Sequence, residues 1–225
     1  MKAKVFLKKL DNTIEQHSML THPFYEMWNR GELPLKTIQE YSKQYFAQVH
    51  AFPTYVSAVH SHCDDLKLRQ MLLENLVEEE AGEENHPELW LRFAEGLGVS
   101  REEVENANLL HNTRESVKML KSLTQSENYL EGLAALYAYE SQIPEVSQTK
   151  REGLKRFYGI DDDRTVSFFT VHEVADLIHR KVEQNILKNN CTTDEVQEKV
   201  LNAAEKAAKA LRHFLDGVYS EFVEA

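Results

Sequence analysis

The sequence is poor in the residues that make turns. Its 225 residues include eight glycines and five prolines, about half the ordinary usage. An all-β sandwich or barrel, which needs a turn every few residues, is therefore excluded. Cysteine is scarcer still. Cys63 and Cys191 stand far apart, which excludes a disulfide scaffold and a Cys-x-x-Cys zinc site and fits a reducing compartment. Positive charge is also in deficit. A net charge of −11 argues against general nucleic-acid binding, which needs basic surface to release counterions. No apolar run approaches the roughly 20 residues of a membrane span. Lys2, Lys4, Lys8 and Lys9 make the start basic, but no long apolar stretch follows, so no signal peptide is expected. The expected location is the cytoplasm, with secretion to a host left open.

What is present is helical periodicity. No repeat, low-complexity tract or Pro/Gly/Ser linker divides the chain, and one domain over 1–225 is expected. The clearest pattern runs through Val196, Val200, Ala204, Ala207, Leu211, Phe214 and Val218, at steps of three and four. Thr192 with Glu195 predicts a capping box at its start, and Ser100 with Glu103 predicts another for a short helix. Further helices are expected near 3–18, 22–30, 35–62, 65–82, 87–97, 113–123, 128–157 and 164–188. Gly96, Gly98 and the Asp161–Asp163 run mark breaks. The fold class is all-α, a bundle of about seven to nine helices.

Function shows where an apolar stripe carries polar chemistry. After Asp163 the stripe through Phe168, Phe169, Ala175, Val182 and Ile186 also carries His172, Asp176 and His179. Their spacing keeps all three within an arc of roughly 60° at 100° per residue. A carboxylate turned inward is costly unless paired or bound to a metal. In 128–157, Tyr129, Leu133, Leu136 and Tyr137 form a stripe that Glu140 continues, and Pro144 predicts a kink at Glu140. In 65–90, Leu72 and Leu76 share a face with Glu79, Glu83 and His86. Glu79 and His86 are seven apart and nearly eclipsed, whereas Glu83 and His86 read as the Glu-x-x-His pair of ferritin-like di-iron bundles. Spacing leaves both open, and Pro87 predicts a kink or restart at His86. Glu78 and Glu84 point elsewhere, toward solvent.

Carboxylates and imidazoles without thiolate suit iron or manganese. Three carboxylates balance two divalent ions better than one, so a two-metal centre is favoured, for oxygen chemistry or hydrolysis. His50, His60, His62 and Cys63 crowd one helix, but neighbours one and two apart face different ways, and these are read as structural or solvated. A cysteine nucleophile or a single proximal haem ligand, His17 or His22, would leave the inward carboxylates unexplained.

Around these residues lie further motifs: His22-x-Phe24-Tyr25, Trp28, Gly31-Glu32-Leu33, Ala51-Phe52-Pro53, Cys63-Asp64-Asp65-Leu66, Asn85-His86, Leu89-Trp90, Ala134-Ala135-Leu136-Tyr137 and Tyr139-Glu140-Ser141-Gln142-Ile143-Pro144. Through them, from about Leu20 to Leu215, the chain resembles the heme-oxygenase-like di-metal oxidases of the CADD type, named for a chlamydial protein associating with death domains and related to TenA and PqqC. The resemblance implies six metal ligands: Glu79, His86, Glu140, His172, Asp176 and His179. It thereby selects Glu79 over Glu83. It implies two non-heme ions, Fe/Fe or Fe/Mn, with molecular oxygen and an external reductant. It implies synthesis of p-aminobenzoate, a folate precursor, in a single turnover. Tyr25 would supply the ring, Lys150 the amino group, and Tyr41 would be an accessory tyrosine. By themselves Tyr25 reads as an ordinary core aromatic and Lys150 as a surface lysine. A homodimer is implied, and a helical death-domain-type partner, docking for instance on the last helix, is a second class of function. A di-iron oxygenase on an external small molecule is a third.

Overall fold

A computed structural model describes residues 1–224 and, within them, every side chain except those of Val174, Ala175 and Ile178. Ala175, assigned to the inward stripe by its spacing, thus lies outside the described residues. Among them there is no strand. Eleven α-helices follow in chain order: α1 (Ala3–Glu15), α2 (Pro23–Arg30), α3 (Leu35–Ser61), α4 (Leu66–Glu80), α5 (His86–Gly96), α6 (Arg101–Glu105), α7 (His111–Thr124), α8 (Tyr129–Glu140), α9 (Ile143–Gly153), α10 (Asp163–Asn190) and α11 (Asp194–Phe222). A 3₁₀ turn at Met19–Thr21 precedes α2, and a π turn at Leu154–Tyr158 extends α9.

This exceeds the expected seven to nine, chiefly because the predicted helix over 128–157 is two helices. Pro144 sits in the first turn of α9, where its missing N–H costs nothing. With no N–H at Pro144, the ladder cannot run on past Glu140. Gln142 occupies the gap instead: its Nε2 donates to the Ala138 carbonyl at 2.8 Å, and its Oε1 accepts from the Met19 amide at 2.9 Å. The expected kink at Glu140 is therefore a full break.

α8 sits at the centre. From Leu130 to Glu140 every residue but Glu131 is buried, as befits a helix apolar on all sides. Its small residues let neighbours close in. A Cβ on Gly132 would stand 2.8 Å from Val59 Cγ2. α11 covers one flank with Val200, Ala204, Ala207, Leu211, Phe214 and Val218 buried, packed on α7 and α8. Its cap is Thr193, which accepts from the Val196 amide at 3.3 Å, and not Thr192. The Thr192 amide already donates to the Asn190 carbonyl, so that residue belongs to the turn that closes α10. The Ser100–Glu103 capping box forms as expected. α10 packs on α9, α5 and α8, and α3 on α4, α5 and α7. The inner faces of α3, α4, α5, α8, α9 and α10 thus converge on one region.

Candidate metal centre

Two chain breaks position the site. α4 ends at Glu80, and Asn85 caps α5 by accepting from the Glu88 amide at 3.0 Å. The chain turns between them, so Glu79 lies in the last turn of one helix and His86 starts the next. The restart predicted from Pro87 occurs, and a single helix carrying Glu83 and His86 on one face does not. Glu83 falls in the exposed turn, whereas Glu79 and His86 are buried. The α8–α9 break leaves Glu140 as the last residue of the central helix. α10 runs past all three and contributes His172, Asp176 and His179.

Glu79, His86 and His172 form one group of converging donors, and Glu140, Asp176 and His179 a second; within each, the donor atoms lie within 4.8 Å of one another. The imidazoles are oriented from behind. His172 Nδ1–H donates to the Phe168 carbonyl at 2.7 Å, which leaves Nε2 as the free donor. His179 turns Nδ1 toward Glu140 Oε1 at 3.3 Å and Asp176 Oδ1 at 3.5 Å, while its Nε2 lies 3.2 Å from Glu78 Oε2. Glu78, expected to face only solvent, is half-exposed and holds this ring. His86 Nδ1 lies 2.7 Å from Glu79 Oε2 without the alignment of a hydrogen bond.

Burial raises the Glu79 carboxyl above its ordinary range, with His86 opposing. Burial likewise drives Asp176 up, reinforced by Glu140 and Glu79. Burial opposes a proton on His179, but Asp176 and Glu140 overcome it and raise that ring's pKa. The same contest, won by Glu79, raises His86. His172 goes the other way: burial and the charge on His86 depress it well below 6.5.

Among the described residues, the buried side-chain polar atoms lacking any hydrogen-bond partner are Asn75 Oδ1, His86 Nδ1, Glu140 Oε2, Asp176 Oδ2, His179 Nδ1 and both oxygens of Glu183. All belong to this region. Native interiors leave few such atoms, and their concentration here is what a pair of cations would relieve. The donor set fits iron or manganese. Sequence reasoning missed Glu183, one turn beyond His179 on the same face, and Asn75, one turn before Glu79. The i+4 spacing was the available signal in both cases.

Beside the donors is a cavity of about 20 Å³, whose lining includes Glu79, Glu140, His172, Tyr45, Tyr139 and Lys150. Tyr45 and Tyr139 pair their hydroxyls at 2.8 Å. Lys150 is fully buried, not a surface residue, and its Nζ lies 4.5–5.9 Å from the ring centroids of Tyr45, Tyr41, Trp90, Phe169 and Tyr25. Burial alone depresses its pKa well below 10.5. Tyr25 and Tyr41 are buried with hydroxyls 3.1 Å apart, and burial raises both phenols. His50 and His62 are exposed, in keeping with their solvated reading.

Fold and site together define a class: an all-helical protein whose core gathers carboxylates and histidines into two groups that could each hold a metal ion. The pattern of the iron-containing redox enzyme family matches residues 39–212. A 4-aminobenzoate synthase from Nitrosomonas europaea is 38% identical over 231 aligned positions, covering 99% of this chain and 94% of that protein. A 4-aminobenzoate synthase from Chlamydia trachomatis is 39% identical, covering 94% and 90%. In structure, a TenA homolog from Pseudomonas syringae superposes with a TM-score of 0.82 at 16% identity, over 98% of this chain and 96% of that one. The chain belongs to the heme-oxygenase-like family of iron-containing redox enzymes.

Proposed function

We propose that this protein is a di-metal oxidase that makes 4-aminobenzoate from its own residues, Tyr25 giving the ring and Lys150 the nitrogen, once per chain. The reading is supported by relatives carrying the name 4-aminobenzoate synthase. One observation carries it to an internal substrate: the cavity at the donors measures about 20 Å³, room for about one water-sized molecule. Oxygen fits there, whereas an external aromatic would need the lining side chains to move.

The chemistry required is legible from the two structures. A tyrosine side chain is a ring with a carbon and a heteroatom para to each other, as is 4-aminobenzoate. Conversion cuts Cα–Cβ and oxidises Cβ to a carboxyl carbon, with molecular oxygen as the oxidant; the phenol oxygen leaves as water and is replaced by the Lys150 nitrogen, whose bond to Cε breaks as Cε is oxidised to an aldehyde. The metal pair, Fe/Fe or Fe/Mn, would supply activation of oxygen, with an external reductant completing the electron count. Glu79, His86 and His172 would hold one ion, and Glu140, Asp176 and His179 the other. Lys150 serves as amino donor because burial disfavours its charged form and so favours the lone pair on its nitrogen, and its Nζ lies 5.9 Å from the Tyr25 ring centroid. Tyr41 holds the Tyr25 hydroxyl. We take the chain to act as a single domain in the cytoplasm, as a homodimer. For a death-domain-type partner, the apolar face of α11 is already in the core, so such docking would have to use its polar face.

The test is anaerobic loading with Fe(II), with and without Mn(II), followed by oxygen and reductant. Expected is substoichiometric 4-aminobenzoate with mass loss at Tyr25, and none from Tyr25→Phe. Oxygen consumption with Tyr25 and Lys150 intact would replace this reading with an oxygenase acting on an external small molecule. Glu140→Ala and His172→Ala should abolish both product and metal; retained product would sink the metal assignment.

A further inference from the structure

We propose that Glu183 is a fourth carboxylate of the metal centre, and that it makes the Glu140/Asp176/His179 position an oxygen-rich site for a hard divalent cation such as Mn(II), leaving the Glu79/His86/His172 position to iron. The inference rests on the two-metal reading above and extends it to a residue outside the six ligands.

Glu183 follows His179 by four residues and Asp176 by seven on α10, so all three share a helix face. It is 3% exposed. Neither of its oxygens has a hydrogen-bond partner, and no lysine or arginine pairs with it. The Glu140 carboxylate is the charge that acts on it most strongly, which sets it on the Glu140 side of the second group of donors. Two buried carboxyls on neighbouring helices, with no lysine or arginine between them, are an arrangement that folds avoid.

The neighbouring oxygens are orphaned in the same way. Asn75 gives its Nδ2–H to Glu140 Oε1 at 2.9 Å, and its own Oδ1 is left without a donor, as are Glu140 Oε2 and Asp176 Oδ2. This half of the centre therefore offers oxygen from Asn75, Glu140, Asp176 and Glu183 against one nitrogen, His179 Nδ1. The other half offers two imidazoles and a single carboxylate. Imidazole suits iron, whereas carboxylate and carbonyl oxygen suit manganese and other hard ions. Charge agrees: Glu79, Glu140, Asp176 and Glu183 together neutralise two divalent cations, where three carboxylates leave a positive remainder.

The experiment uses the metal-free full-length chain and its Glu183→Gln variant, with Fe(II) and Mn(II) as the probes under anaerobic conditions. Binding is read by equilibrium dialysis, and position by anomalous scattering at the manganese and iron edges. Expected for the wild type is one ion of each kind, with manganese on the Glu140 side. In Glu183→Gln, affinity for Mn(II) should fall about 10–100-fold, the usual effect of losing a supporting carboxylate, with iron at Glu79/His86/His172 unchanged. The metal-free variant should melt no lower than the wild type, because an unpaired buried carboxylate has been removed; this also establishes that it folds. Two ions bound with Mn(II) affinity unchanged in Glu183→Gln, or manganese on the Glu79 side, would overturn the proposal and leave the two-metal reading intact. A wild-type chain that takes up neither ion would overturn both.

Discussion

Lys150 is the residue at which composition and structure part most sharply. A lysine ten residues past Glu140 reads as surface, yet it is enclosed by five aromatic rings with no carboxylate to pay for its charge. Burial depresses its pKa well below the ordinary 10.5. The unfolded chain therefore carries a proton on this lysine, at every pH between the depressed value and 10.5, that the folded chain lacks. In that window the unfolded state binds more protons, so stability rises with pH. Lys150→Met should accordingly stabilise the metal-free protein at neutral pH. The gain should shrink by up to about 1.4 kcal/mol per pH unit across the window and level off above 10.5. Urea unfolding at pH 7 to 10 measures it. A pH-independent difference would mean that the lysine is charged in the fold.

At the scale of elements, the two breaks decide what the helices can hold. The α4–α5 turn brings Glu79 opposite His86, and the α8–α9 break stops the central helix at Glu140. A proline at each break is a sequence signal; Asn85 adds a side-chain cap at the start of α5, whereas α9 starts without one. The break at 141–142 was read as a kink because a proline shows where a helix cannot continue but not how far the next one swings. α9 is then fixed through Gly153. A Cβ there would stand 2.5 Å from Trp28 Nε1, and Trp28 is fully buried and donates to the Lys150 carbonyl at 3.3 Å. Gly153→Ala gains about 1 kcal/mol of helix propensity but overpacks a rigid ring, at a cost of about 1–3 kcal/mol. A net loss of up to about 2 kcal/mol is expected in denaturant unfolding. An alanine variant more stable than the wild type would mean that α9 moves freely against α2.

For the whole molecule, metal and fold should be coupled. The donors come from α4, α5, α8 and α10, so cations that bind them clamp four helices that pack around the core. Binding to the native state alone stabilises by about 2.7 kcal/mol at one hundred times the dissociation constant, or roughly 5–10 °C in melting temperature for a chain of this size. Chelation should reverse the shift. Protons held by Glu79, Asp176, His86 and His179 compete with the metal, so affinity should fall as pH is lowered. Calorimetric melting with Fe(II) or Mn(II), with and without chelator, reads both. A melting temperature indifferent to metal would place the binding elsewhere.

Much of this was present in one dimension. The scarcity of glycine, proline and cysteine and the period of the apolar residues determined an all-helical fold. The inward spacing of His172, Asp176 and His179 determined that α10 carries polar chemistry into the core, because a helix fixes which of its own residues share a face. Helical spacing acts only within one element, however. It could not choose between Glu79 and Glu83, since that choice depends on where α4 stops and how the chain turns. Nor could it see that Glu183 and Asn75 meet Glu140, or that Lys150 is walled in by rings from α2, α3, α5 and α10. Those contacts join residues far apart in the chain, and only the packing of the helices against one another decided them.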